Sequence, residues 1–353
     1  MQIESLNLKN FRTYENENIL FSPTLNIIYG KNGQGKTNII EAIYYFSIGK
    51  SFKNIKDKET IKFGCDFSLI EASFLKEKEK INSKIYIKEK KSISQDGVLI
   101  EKLSEIIGNI NICIFTPDHL KIIKDGPNLK RNFLDNLISS VKPLYFKNLI
   151  NYYKVLKNRN LVLKQGKNLE ENLDIWDNEL SKYIYEIAKD RRDFINLLNE
   201  KVKIKDFGDE ILDIRYVMSI KNSLNSQKDI IKELKEKRNK DIETKITNYG
   251  IHRDDLSFYI DNKDLKNFGS QGQIRTSVLK LKLAECEIIK EFKDTEPILL
   301  LDDVLSELDY QRKKIFLEKL KDKQTIITCT SIDEELKSEA KLIKVENGKI
   351  FYN

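Results

Sequence analysis

Two short stretches of this chain hold residue types whose spacing could do phosphate chemistry. The first reads GKNGQGKT, residues 30–37. Gly30, Gly33 and Gly35 lack a Cβ, so successive backbone N–H groups can turn inward around an anion. Lys31, Asn32 and Gln34 complete the loop, Lys36 can reach the β- and γ-phosphates, and the Thr37 hydroxyl can ligate Mg²⁺. The second reads ILLLDDVLSELD, residues 298–309. Asp302 would end a strand that is apolar on both faces, where a carboxylate sits near the Mg²⁺ of a phosphate-binding loop. Asp303 falls on the opposite side of the strand period, where a carboxylate can orient and deprotonate an attacking water. Alone, two acids after a buried strand also read as a helix cap. The glycine-rich loop in the same chain favours the metal and base roles.

The elements around these residues suit the task. LNIIY precedes the loop as a short strand and NIIEAIYYFS follows as a helix. The loop therefore opens on a helix N-terminus, whose partial positive charge favours phosphate. The full match to GxxxxGK[ST] between strand and helix makes a chance glycine turn a poor alternative. A second glycine pair, Gly269 and Gly272, lies in FGSQGQIR before another helix-like run. The chain has only 14 glycines in 353 residues, so two such concentrations call for a reason. Ile274, Val278, Leu281, Ala284 and Ile288, with Leu279 and Leu283, give the following helix a broad apolar face.

Three regions separate by pattern. Residues 1–116 are strand-rich, with alternation in INSKIYIK and a hairpin signal at Asp96-Gly97. Residues 117–250 are mainly helical, interrupted by the strand-like EILDIRYVMSI. There Ser226 reads as the cap and Gly250 as the stop of one charged helix. Residues 251–353 return to α/β, with PILLLDD and TIITCTS as strands, Asp309 as a helix cap and a hairpin at Asn347-Gly348. The expected organisation is an α/β ATPase lobe from 1–116 and 251–353, interrupted by a mainly helical lobe at 117–250.

Composition narrows the class. No apolar stretch approaches the roughly 18 residues of a membrane helix, and MQIESLNLKN lacks a signal-peptide core. Cys65, Cys113, Cys286 and Cys329 are far apart and read as reduced thiols of a cytoplasmic protein. Only His119 and His252 are present, which excludes a His-rich metal site. A net charge of +7 is as compatible with a solvated Lys/Glu surface as with a nucleic-acid footprint. Lys154, Lys157, Arg159, Arg191 and Arg192 of the helical region are candidate phosphate contacts, against the simpler reading of a solvated helix face.

The order of GKNGQGKT, then SQGQ before a helix, then LLLDD, then SELD resembles the ABC-type ATPases: P-loop, signature, Walker B strand and D-loop. The opening IESLNLKNFRTYEN resembles the SMC-like, DNA-acting branch. With FTPDHLKIIKDGPNLKRNFLD and GIHRDDL added, essentially the whole chain resembles the RecF family of bacterial DNA replication and recombination-repair proteins. It departs at Ile251, where the family usually has proline, and at Pro117-Asp118-His119, where it usually has Pro-Glu-Asp. It has no switch histidine after TIITCTS, with Thr328 or Thr330 the available stand-ins.

The resemblance implies an ABC-type head: a mixed sheet around the P-loop helix, an antiparallel β part and an inserted helical lobe. It implies ATP and Mg²⁺ as cofactors and an ATP-dependent homodimer. In that dimer Ser270, Gln271, Gly272 and Gln273 of one copy face the γ-phosphate held by the other, and residues 306–309 form the D-loop. It implies weak, DNA-stimulated ATP hydrolysis, with DNA at single-strand gaps as substrate. RecR and RecO follow as partners, and recombinase loading, replication-fork recovery and SOS induction as roles. Three alternatives compete: the ATPase subunit of a transporter, an SMC-like head with a long arm, and a small-molecule P-loop kinase. The chain lacks the switch histidine that the first needs and an insert long enough for the arm of the second, and the third would not need SQGQ.

Overall fold

The computed structural model describes residues 1–53, 55–102, 105–203, 210–332 and 337–352, with the Glu307 side chain excepted. Two compact units divide the chain: Met1–His119 with Glu285–Asn353, and Leu120–Ala284.

The first unit begins with β1 (Gln2–Phe11), β2 (Tyr14–Leu20), β3 (Leu25–Tyr29) and α1 (Lys36–Ile48). It continues through β4 (Ser68–Lys76), β5 (Glu79–Ile87), β6 (Lys91–Gln95), β7 (Val98–Ile100) and β8 (Ile112–Phe115). An antiparallel sheet runs in the order β2-β1-β4-β5-β6-β7. Helix α1 is apolar nearly all round, and Ile39, Ile40, Ile43, Tyr45 and Phe46 are buried. A helix of that kind must be covered on more than one side. Its side chains join those of β1, β4, β12 and β13 in one continuous core.

The second unit holds α2 (Lys121–Lys124), α3 (Pro127–Val141), α4 (Pro143–Gln165), α5 (Leu169–Lys201), β9 (Leu212–Val217), α6 (Gln227–Glu236) and α7 (Arg238–Thr244). It adds β10 (Asp255–Ile260), β11 (Lys263–Asp264), α8 (Leu265–Phe268) and the start of α9 (Gln271–Lys293), which contains the division. The sequence put residues 251–284 with the ATPase lobe. In the structure β10 pairs with β9 along its whole length, from Asp255 opposite Val217 to Ile260 opposite Leu212. That pairing keeps 251–284 with the helical unit, and strand partners so far apart in sequence leave no local signal. Ser226 caps α6 as expected, accepting from Asp229 N–H at 3.2 Å. The charged helix breaks at Lys237, however, and α7 ends at Lys245 in the left-handed region (φ 58°), well before Gly250.

Two arginines with zero exposure organise this unit. Arg191 bonds Asp135 and Asp254 and donates to the Ile251 carbonyl. Asp254 also accepts from Ser219 N–H and the Tyr216 hydroxyl. Arg159 pairs with Asp177 and Asp241. Neither arginine can touch DNA, which corrects their candidacy as phosphate contacts. Between them His252 donates from Nε2 to Thr247 O at 3.0 Å, so its Nδ1 accepts from the Tyr152 hydroxyl at 2.6 Å. Burial drives its pKa down to about 4. His252 and Asp254 thus belong to a largely buried polar network, whereas Arg253 is exposed.

The first unit resumes with β12 (Ile298–Asp302), α10 (Tyr310–Glu318), β13 (Thr325–Cys329), β14 (Ala340–Glu346) and β15 (Lys349–Tyr352). The second sheet runs β15-β14-β3-β13-β12-β8, parallel except for β15. Strand β13 lies between β3 and β12, pairing Thr328 with Ile28 on one side and Asp302 on the other. The glycine loop and the two aspartates therefore leave the same, C-terminal end of this sheet, where open α/β sheets bind ligands.

Candidate active site

Residues 30–37 turn from β3 into α1 with Gly30 at φ 153° and Gly35 at φ 115°. A Cβ at Gly30 would stand 2.3 Å from Val345 O, and one at Gly35 would stand 2.8 Å from Thr13 Oγ1. Both glycines are thus fixed by backbone conformation and by close neighbours. Gly35 is also the α1 N-cap, with no side-chain cap and no acidic residue in the first turn. The α1 N-terminus therefore keeps its partial positive charge for an anion. Lys36 is buried, and its ammonium donates to Gly30 O (2.7 Å) and Lys31 O (3.0 Å).

Two braces hold this loop from the sides. At one, Gln34 Oε1 accepts from Asn347 N–H and Gln34 O accepts from Gly348 N–H, tying the loop to the β14–β15 turn. At the other, Arg12 in the β1–β2 turn forks onto Glu41 of α1 at 2.7 and 3.0 Å. Burial alone would raise the Glu41 pKa. Arg12, the Ser51 hydroxyl and Lys53 together hold it below the usual carboxylate range.

The aspartates meet the loop directly. Thr37 Oγ1 donates to Asp302 Oδ1 at 2.9 Å, and Thr328 Oγ1 donates to the same oxygen at 2.7 Å. Asp303 follows with a left-handed backbone, φ 53°. A cavity of about 210 Å³ is lined by Gly33, Gly35, Lys36, Thr37, Asp302 and Asp303, with Asn32, Asn38 and Thr328. Cys329 forms part of an adjoining wall. Burial pushes its thiol up to about 11, and Lys36 acts on it in the opposite sense. Among the described residues no group of three or more His, Cys, Asp or Glu could hold a metal alone. One carboxylate beside one hydroxyl suits Mg²⁺, which keeps waters and takes further ligands from substrate phosphates.

Ser270, Gln271, Gly272 and Gln273 belong to the other unit, at the start of α9. Ser270 Oγ accepts from Gln273 N–H (3.2 Å) while Gln273 Oε1 accepts from Ser270 N–H (2.9 Å). This reciprocal pair is a capping box. Gln273 Nε2 donates to Glu210 Oε1 at 2.9 Å. Ser270 and Gln271 are exposed. The two glycines differ: Gly272 lies in the first turn of α9, whereas a Cβ at Gly269 would meet Leu265 O at 2.6 Å, so Gly269 serves the α8 terminus. In the SELD stretch, Ser306 Oγ donates to Asp303 O and Asp309 caps α10 by accepting from Arg312 N–H.

The sequence reading missed the Arg12–Glu41 pair and the Gln34 brace. A carboxylate within the apolar run NIIEAIYYF was the available signal for the first. Nothing local announces the second.

A sequence profile described as an AAA domain matches residues 5–243. The DNA replication and repair protein RecF of Clostridium perfringens strain 13 is 43% identical over 359 residues, covering 99% of both chains. The same-named protein of Clostridium kluyveri is 44% identical over 361 residues, again with 99% coverage of each. The chain belongs to the RecF family. A solved structure of the recombination mediator protein RecF with ATP superposes with a TM-score of 0.93 at 32% identity, covering 100% of this chain and 97% of that one. An SMC head bound to the C-terminal winged-helix domain of ScpA matches at 0.56 and 18% identity, a likeness of fold. The transporter alternative finds no support in these RecF-family relatives. Among the described residues no helix is long and apolar enough to cross a membrane.

Proposed function

We propose that this protein is a DNA-bound, ATP-dependent homodimer of recombinational repair, with slow ATP hydrolysis at sites shared between two copies. The carrying observation is the convergence of Lys36, Thr37, Asp302 and Asp303 on one polar cavity at an uncapped helix N-terminus. The α- and β-phosphates would take the loop amides, and the Lys36 ammonium would exchange carbonyl partners for β- and γ-phosphate oxygens. Mg²⁺, held by Thr37 and Asp302, would neutralise charge building on the phosphates. Asp303 would orient the attacking water and accept its proton.

A second copy would bring residues 270–273 to the γ-phosphate. The capping box uses Ser270 Oγ as an acceptor and leaves its O–H free to donate to an anion. Phe268 and Tyr310, 76% and 63% exposed, flank the signature and the D-loop, as rings that become covered in a dimer would. ADP lacks the bridging phosphate, so hydrolysis would let the copies part.

For DNA, α4 offers the best surface. It contains no acidic residue. Lys147, Lys154, Lys157 and Lys164 are exposed at spacings that share one helix face. Such a face would contact phosphates, with a steep salt dependence. RecR and RecO as partners and single-strand gaps as substrate rest on the family, one of whose solved members is a recombination mediator protein of the RecFOR pathway. The test is DNA binding to duplex, single-stranded and gapped substrates with ATP, ADP or no nucleotide. Tighter binding with ATP, and a shallower salt slope when the four lysines become glutamine, are expected. Nucleotide-independent binding, or an unchanged slope, would contradict the corresponding part.

A further inference from the structure

Thr328 is 1% exposed on the strand between the phosphate loop and the acidic strand. Its single hydroxyl makes two directed bonds. Oγ1 donates its proton to Asp302 Oδ1 at 2.7 Å and accepts from Asp303 N–H at 3.0 Å. The same N–H also lies 3.2 Å from Thr328 O. Asp303 needs such support, because a left-handed backbone in a non-glycine residue is uncommon and persists only where its surroundings hold it. Asp302 Oδ1 needs it too: its other donor is Thr37, whose hydroxyl would turn to the metal. A chain of bonds therefore runs from Thr37 through Asp302 and Thr328 to Asp303.

We propose that Thr328 is a positioning residue that sets both acids at once, fixing the Asp302 carboxylate for the metal and the Asp303 backbone for the water. It lines the same cavity as the phosphate loop, and its hydroxyl is committed to the two acids. The inference rests on the hydrolytic reading of this site.

The experiment compares Thr328→Val, which keeps the β-branched shape and deletes the hydroxyl, with Thr328→Ser, which keeps the hydroxyl and deletes the methyl. Turnover is measured together with binding of a non-hydrolysable ATP analogue across a Mg²⁺ titration and in EDTA. Loss of an outer partner of a metal ligand costs about 10- to 100-fold in affinity or activity. The valine variant is expected to lose that much turnover and to need more Mg²⁺ for half-maximal binding, with metal-free binding unchanged. The serine variant is expected to return both towards the parent. A valine variant equal to the parent in both readouts overturns the proposal. So does a serine variant as impaired as valine, which would assign the effect to packing. Asp302→Asn runs alongside. If it loses Mg²⁺-dependent binding while valine does not, only the role of Thr328 falls. If it keeps Mg²⁺-dependent binding, the reading of the site falls, and this inference with it.

Discussion

The chain's two glycine clusters, one in each unit, are held in opposite ways. Residues 30–37 are held through Gly30, Gln34 and Gly35 by segments distant in sequence. The Val345 carbonyl abuts Gly30, the β14–β15 turn holds Gln34, and Thr13 and Tyr14 press on Gly35. Behind the loop half-buried Arg12 forks onto buried Glu41 and anchors α1. Residues 270–273 are held by a local capping box and one contact to Glu210, and Ser270 faces outward. The difference fits the proposed roles, a cradle for the chain's own nucleotide and a motif offered to a second copy. A phosphate cradle must be preformed, so it is braced. A motif that completes a site elsewhere must be presented, so it is exposed and self-capped.

Substitutions can break or sharpen this contrast, and the largest effect belongs to the chemistry. Asp303→Asn should bind ATP like the parent yet lose about 10²- to 10⁴-fold in turnover. Steady-state phosphate release checks it, and normal turnover would remove Asp303 as the base. Next is the Arg12–Glu41 brace. Removing Arg12 takes two charge-assisted bonds from buried Glu41 but leaves it Ser51 and Lys53, so Arg12→Ala should cost about 1.5–3 kcal/mol in urea unfolding. A cost near that of a surface pair would show that α1 is anchored otherwise.

The third separates the units by pH. His252 is held neutral in the fold, with its pKa lowered from 6.5 to about 4. Its contribution is therefore complete above about pH 6.5 and is lost as pH falls towards 4, where the unfolded chain binds a proton that the folded one does not. At pH 5 the loss should be about 2 kcal/mol, felt in the unit that carries residues 270–273. His252→Gln should flatten that dependence in denaturant titrations. An equally steep acid loss in the variant would place the titration elsewhere. The smallest effect is the most telling. Ser270→Ala should cost the monomer only about 1 kcal/mol, the usual value of an N-cap, while ATP-dependent dimers weaken far more. Equal losses in both would make Ser270 a cap and nothing else.

Much of this could be seen in the sequence because it is local. A P-loop needs its glycines, lysine and threonine within eight positions, and a caps-and-turns grammar marks Ser226, Asp309 and the two hairpins. The site's supports are not local. Thr328 reaches Asp302 only through the pairing of β13 with β12, and Gln34 meets a turn at the far end of the chain. Charge was the most misleading signal. Arg159 and Arg191 look like surface cations until Asp177, Asp241, Asp135 and Asp254 arrive from distant segments to bury them. The boundary near residue 284 escaped for the same reason, since β9 and β10 are joined by helices rather than a turn.

The central claim is that one copy's Ser270 completes the other copy's Lys36 site. It is tested by mixing two defective variants, Lys36→Met and Ser270→Arg, and following ATP-dependent dimerisation by light scattering. Each alone should stay monomeric, Lys36→Met for want of bound nucleotide and Ser270→Arg with its nucleotide affinity intact. A mixed dimer pairs the sound loop of one variant with the sound signature of the other, so the mixture should regain dimers with one working site. A mixture as monomeric as its components, or a Ser270→Arg protein that dimerises by itself, would contradict the account.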